Sequence, residues 1–234
     1  MKNVFKGLAI VLFAITLTCS GFGQQTIFNV PSADITPKGM TYLETEGQFR
    51  ASGPGSYYYS SNFFARGLGG NTELDTSLYG LSSPRSGNVT MGVGFKTAFP
   101  LFAKRYAAEA FQLTVGEQVL LSAQGEGAGY WAYAHLSGKV PHTGTRLTAG
   151  LSRGTKQLFG VDTTVVIAGF EQPLTPQLNI ISDWYSGANS LGFSTTGFSW
   201  TFSKVGTFYL GYQIPNNSSA AGRSGITSEL SFQF

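Results

Sequence analysis

Glu44, Glu46 and Arg50 stand two and four residues apart, and Glu73 and Asp75 repeat the spacing of two. On an extended chain, side chains at that spacing leave the same face. Charged groups filed along one face do electrostatic chemistry: they pass or bind ions and small polar solutes, or they neutralise one another across a narrow space. Arg66, Lys96, Arg146, Glu171, Asp183 and Glu229 extend the set, with carboxylates in excess. Other chemistry finds little to build on. Only two histidines occur, His135 and His142, so a multi-histidine metal site cannot be made. Gly92-Val93-Gly94 and Gly125-Glu126-Gly127-Ala128-Gly129 lack the strand-to-helix context of a phosphate-binding loop. No catalytic set, metal or cofactor is expected.

The elements that must carry these charges are strands. The chain ends on Ile226-Thr227-Ser228-Glu229-Leu230-Ser231-Phe232-Gln233-Phe234, in which Ile226, Leu230, Phe232 and Phe234 share one surface and Thr227, Glu229, Ser231 and Gln233 the other. The same sorting sets Leu43, Thr45 and Phe49 against Glu44, Glu46 and Arg50. It also sets Leu74, Thr76 and Leu78 against Glu73 and Asp75, and Val89, Met91, Val93, Phe95 and Phe99 against Lys96. Leu147, Ala149 and Leu151 oppose Arg146, and Phe208, Leu210, Tyr212 and Ile214 oppose Thr207 and Gln213. A surface that meets hydrocarbon has a physical reason to shed charge, since Arg or Lys near mid-membrane costs about 2 to 4 kcal/mol.

Cutting the sequence at Gly, Pro, Asn and Ser clusters leaves twelve such segments, near 40–50, 57–67, 72–82, 88–99, 108–123, 127–139, 145–153, 161–172, 177–186, 190–202, 205–214 and 223–234. Ten is the alternative, if 57–67 or 108–123 is partly loop. Three places do not declare their faces. Glu117 shares parity with Leu113, Val115, Val119 and Leu121, so it lies near the outer interface or a bulge shifts the register. The run Val165-Val166-Ile167 is uniformly apolar, and Glu171 is placed inward because the alternative faces lipid. In the sixth segment Ala132, Ala134 and Leu136 suit the lipid side, leaving Tyr133 and His135 inside. Trp131, Trp184, Trp200, Tyr185, Phe202, Tyr209 and Tyr212 lie mostly toward segment ends, as interfacial aromatic girdles would.

Composition agrees with an all-β chain: 31 Gly and 19 Phe supply turns and strand formers, and only 12% of residues are charged. Residues 1–23 read as a secretory signal, with Lys2 and Lys6 before the apolar run Leu8–Leu17 and small residues at Gly21-Phe22-Gly23. Cys19 as a lipidated first residue is the alternative, though Thr18 before it is bulkier than such signals use. Losing Lys2 and Lys6 takes Lys+Arg from 15 to 13 against 12 Asp+Glu, so the remainder is nearly neutral and suggests no nucleic-acid partner. Residues 24–38, with two prolines, precede the first strand and either hang in the periplasm or fold into the lumen; residues 39–234 form the barrel.

Signal, alternation and the ending Ser231-Phe232-Gln233-Phe234 together resemble bacterial outer-membrane β-barrels of the porin-like kind. The resemblance implies a closed antiparallel up-and-down transmembrane barrel in the bacterial outer membrane, surrounded by its lipid. It implies biogenesis through periplasmic chaperones and the barrel-assembly machinery, with Leu230, Phe232 and Phe234 as the assembly signal. The charges Glu44, Glu46, Arg50, Arg66, Glu73, Asp75, Lys96, Arg146, Glu171, Asp183 and Glu229 then line the lumen. That lumen either forms a small channel for ions or polar solutes or is closed by paired charges, as in a structural or surface-interaction barrel. A third comparison is with outer-membrane phospholipases, whose His-x-Ser pair is similar to His135-Leu136-Ser137; here Gly138 replaces the Asn that follows in that family, and His135 is expected to face inward.

Overall fold

Alternation does what its period demands. In β1 (Thr41–Arg50) Tyr42, Glu44, Glu46 and Arg50 are buried while Leu43, Thr45 and Phe49 are exposed. The computed structural model describes residues 25–51, 56–83, 89–104, 107, 110–125 and 127–234. The expected signal 1–23, Gln24, parts of the expected connections at 52–55, 84–87, 105–106 and 126, and residues 88 and 108–109 of the expected segments 88–99 and 108–123 lie outside the described residues.

Eleven further strands follow: β2 (Tyr57–Gly69), β3 (Thr72–Ser83), β4 (Thr90–Pro100), β5 (Phe111–Ser122), β6 (Ala128–Lys139), β7 (Arg146–Gly154), β8 (Thr164–Pro173), β9 (Leu178–Tyr185), β10 (Phe193–Thr201), β11 (Gly206–Pro215) and β12 (Gly225–Gln233). Each pairs antiparallel with its sequence neighbour, and β1 pairs with β12 to close the barrel. Closure leaves no strand edge, which is what a sheet in hydrocarbon requires. The terminal strand seals it: Phe234 accepts from the Thr41 amide at 2.7 Å and donates to the Thr41 carbonyl at 3.0 Å. The count of twelve, and not ten, is what the structure has. Two one-turn helices, α1 (Lys156–Phe159) and α2 (Ser218–Ala221), sit in connections at the end opposite the termini. Among the described residues no helix is long and apolar enough to cross a membrane.

Turn chemistry sets the β2–β3 hairpin, where Gly69, Gly70 and Asn71 take φ of 92°, 62° and 58°. Such left-handed backbone suits Gly and Asn and few other residues. In the same hairpin the register shifts between Ser60 and Asn62, with Gly80 at φ 89° supplying the extra residue of a bulge. By contrast β5 pairs without interruption on both sides, Phe95 and Ala132 standing opposite Glu117. No bulge turns Glu117 inward. It lies in mid-strand on the outer wall, exposed.

The outer wall carries the exposed Leu, Val, Ile and Phe side chains; the inner wall is polar. Three of the aromatics expected in girdles belong to the inner wall. Trp131, Tyr185 and Tyr209 are buried with Ile167 and Ile181 in one cluster, because each falls on the inward parity of its strand. Trp184, Trp200, Phe202 and Tyr212 face outward.

Candidate functional site

Strand parity directs Glu44, Glu46 and Arg50 of β1, Glu73 and Asp75 of β3, Lys96 of β4, Arg146 of β7, Glu171 of β8, Asp183 of β9 and Glu229 of β12 into the barrel. All but Glu171 are buried as whole residues, and the Glu171 side chain is 15% exposed. Arg66 departs from expectation: it shares the outward parity of Phe64 and Leu68, is exposed, and donates to Thr41 Oγ1 at 2.6 Å. Consecutive Phe63-Phe64 hides the faces of β2 in the sequence. Arg66 stands near the strand end, where a long side chain can carry its charge out of hydrocarbon.

The inward charges do not face open solvent. Glu73, Lys96, Arg146 and Asp183 hold the segment 25–38, of which residues 25–36 enter the lumen. This segment folds back on itself, with Ile27 donating to the Val30 carbonyl at 2.8 Å and Ser32 to the Gln25 carbonyl at 3.1 Å. Three sites on the wall grip it. At Asp183 the backbone N–H groups of Phe28, Asn29 and Val30 converge on one carboxylate oxygen, at 3.0 Å for Phe28 and 2.7 Å for Val30. At Glu73 one oxygen accepts from Gln25 Nε2 at 2.7 Å and from Lys96 Nζ at 2.9 Å, and the other from the Thr36 amide at 2.6 Å. At Arg146 two guanidinium nitrogens donate to the two Asp34 oxygens at 2.8 and 2.9 Å, while Glu171 stands 3.3 Å away. Hydrogen bonds to a charged group are each worth roughly 1.5 to 3 kcal/mol, and three successive amides on a carboxylate form a preorganised anion nest.

Apolar packing completes the fit. Ile27, Phe28 and Val30 are at most 3% exposed and join the inner-wall cluster of Ile167, Ile181, Tyr185 and Tyr209. Two inward glycines leave the space they occupy. A Cβ on Gly169 would lie 2.1 Å from Ile27 Cδ1, and one on Gly211 would lie 2.7 Å from the Phe28 ring.

A polar chain runs from the segment up the wall. Asn29 Nδ2 donates to Thr195 Oγ1 at 3.0 Å, and its Oδ1 accepts from Gln213 at 3.4 Å. Arg50 donates to Gln213 and, at 2.9 Å, to Gln48 Oε1; Gln48 donates to Glu46 Oε1 at 2.7 Å, which also accepts from Thr227 at 3.1 Å. Glu229 stands directly across from Glu46, 1% exposed, with neither carboxylate oxygen hydrogen-bonded. Above the segment, at the end opposite the termini, lies a cavity of about 540 Å³ floored by Thr26, Phe28 and Asn29.

Gln25, Asn29 and Asp34 have no role in the reading of the sequence, and Gln213 stands there on the inward face of its strand without one. Asp34 alone carried a signal, as the one carboxylate in residues 24–38 facing a barrel with inward cations. His135 and Ser137 do meet: Ser137 Oγ lies 3.2 Å from His135 Nδ1 and 2.8 Å from Thr148 Oγ1. All three are buried in the lumen wall. Among the described residues no group of His, Cys, Asp or Glu converges as metal ligands.

No protein-family model and no curated protein matches the sequence. Solved structures do. The KdgM porin in complex with disordered oligogalacturonate superposes with a TM-score of 0.57 at 8% identity, over 82% of this chain and 98% of that one. The KdgM porin alone gives 0.55 at 8%, over 83% and 98%. A chain from work on the in-meso crystallization of membrane proteins gives 0.50 at 14%, over 83% of each. At such identities the likeness is one of fold, and by fold the chain is a porin-like β-barrel.

Proposed function

We propose that the chain is an outer-membrane channel for ions or small polar solutes whose lumen is closed by residues 25–38. The observation that carries this reading is the grip of Asp183 on three successive amides of the segment. A static wall filler needs only apolar contact, whereas a charged grip at three points can be undone by solute, pH or a partner. Carboxylates outnumber cations along the lumen wall, which favours cations or neutral molecules. It argues against a polyanion such as the oligogalacturonate seen with the KdgM porin. His135 and Ser137 have no catalytic role in this reading. Residues 1–23 act as the export signal, and Leu230, Phe232 and Phe234, outward on β12, are the signal for assembly into the membrane.

Planar-bilayer recording tests it. The unaltered barrel is expected to show rare, brief openings, and Asp183→Ala with Arg146→Ala to show sustained stepwise currents. Silence from both, with correctly folded protein, would overturn the channel. The second reading, a barrel with a closed lumen that serves structure or surface contact, would then stand; it draws on the complete burial of Glu73 and Lys96 behind the segment.

A further inference from the structure

The cavity above the segment is walled by half-buried or buried aromatic rings, among them Tyr57, Tyr59, Phe63, Tyr79, Trp131 and Phe193, with Phe28 of the segment as a floor. Phe63 and Tyr79 pack edge to face, centroids 5.6 Å apart. Among the described lining residues a single one is charged, Glu46. Behind it stand two more carboxylates: Glu229 directly across the β1–β12 ladder and Glu44 two residues along β1. Glu229 is buried with both oxygens lacking a hydrogen-bond partner. The wall thus sets aromatic faces beside one lining carboxylate, with two more carboxyl groups behind it. Arg50 is not part of the lining, and its guanidinium already sits 5.1 Å over the Phe193 ring.

We propose that this cavity binds a small organic cation, an alkylated or quaternary ammonium with an apolar body. Aromatic faces attract such cations through the ring quadrupole and meet their methyl groups without loss of hydration, which a bare metal ion would not tolerate. A hard cation would instead need several converging oxygen ligands, and the described residues hold no such group. The cavity of about 540 Å³ is of the size that takes a small organic molecule. Because Phe28 and Asn29 form its floor, an occupant rests on the closing segment and on the chain Asn29–Gln213–Arg50–Gln48–Glu46. This deepens the channel reading by naming the class of solute.

The experiment is calorimetric titration of the full-length barrel folded in detergent micelles. Choline is one probe, and 3,3-dimethylbutan-1-ol, of the same shape without the charge, is the other. Choline is expected to bind saturably and the alcohol at least about tenfold more weakly, the ratio that loss of a desolvated cation–π set implies. Glu46→Gln and Tyr59→Ala should each weaken choline by about fivefold or more while keeping heat-modifiable gel mobility, which reports folding. No saturable choline binding, equal affinity for the alcohol, or unchanged affinity in both folded variants would overturn the inference. Recording of the Asp183→Ala, Arg146→Ala barrel is read separately. Absent binding with intact conductance removes this proposal alone, and binding by a silent barrel removes the channel alone.

Discussion

Arg146 holds Asp34 through two parallel hydrogen bonds of 2.8 and 2.9 Å across 112 residues of sequence. The pair joins the first residue of β7 to the segment that precedes β1 in the sequence. Bidentate geometry makes it specific as well as strong, since the guanidinium fork matches both carboxylate oxygens at once.

Breaking that pair should loosen the segment without opening the wall. Asp34 is 28% exposed, so the coupling is discounted from the roughly 3 to 5 kcal/mol of a fully buried broken pair to about 1 to 2 kcal/mol. A double-mutant cycle of Asp34→Asn and Arg146→Ala, read by urea unfolding of the folded barrel, should return a coupling in that range. Additive effects would mean that the two side chains do not hold one another.

Asp183 should matter more than its single charge suggests. Asp183→Asn keeps an acceptor of the same shape, yet charge-assisted bonds are roughly twice as strong as neutral ones, so three amides are weakened together. A cysteine introduced by Ala33→Cys is shielded, because Ala33 is wholly buried. Its maleimide labelling at neutral pH should be slow in the otherwise unaltered barrel and at least about tenfold faster with Asp183→Asn, about 1.4 kcal/mol of lost protection. Equal rates would place the hold on the segment elsewhere.

Acid should release the same segment. Burial by itself raises the Asp34 carboxyl, but the Arg146 guanidinium beside it, together with the charges of Lys96 and Lys139, outweighs burial and holds Asp34 below its ordinary range. A group depressed in the folded state contributes fully above its unfolded pKa and loses that contribution as pH falls through the folded value. Openings in planar bilayers should therefore stay rare from neutral pH down to about pH 4 and become frequent below it. Asp34→Asn should show frequent openings already at neutral pH; a barrel whose openings ignore both acid and this substitution would contradict the assignment.

How much of this was legible follows from what each contact is made of. The faces of β1, β3, β4, β7, β11 and β12 are written in alternating side chains, so the eight inward charges they carry are legible in the sequence. Arg66 could not, since Phe63-Phe64 and the nearby bulge blur the period of β2. Trp131, Tyr185 and Tyr209 were misplaced because an aromatic ring suits an interface and a packed lumen equally well. The sequence leaves residues 24–38 between periplasm and lumen for a deeper reason. The segment's strongest tether is a row of backbone N–H groups on Asp183, and every residue but proline owns one.

The closing strand makes two kinds of contribution that a truncation can separate. Phe234 pairs its backbone with Thr41, and its ring lies exposed on the outer wall. Phe234→Ala keeps the backbone pair, so refolding into detergent should proceed with little change. In cells the amount of barrel in the outer membrane should fall severalfold if the ring is read during assembly. A parallel drop in both settings would assign the ring to stability instead.

Among the described residues Glu117 is the one carboxylate that parity puts on the outer wall in mid-strand, between Phe95 and Ala132. Its cost there is below the roughly 2 to 4 kcal/mol of a basic residue, so Glu117→Leu should raise stability in lipid vesicles by about 1 kcal/mol, read from chemical unfolding. The gain should shrink in short-chain detergent, where water reaches the wall. Arg153 stands on the same outward row, directly across from Ala132 on the next strand. The small alanine between them leaves room for the two long side chains to approach. If Glu117→Leu destabilised the barrel and Arg153→Leu cancelled the loss, the carboxylate would be serving a charge pair on the lipid face and not merely tolerated there.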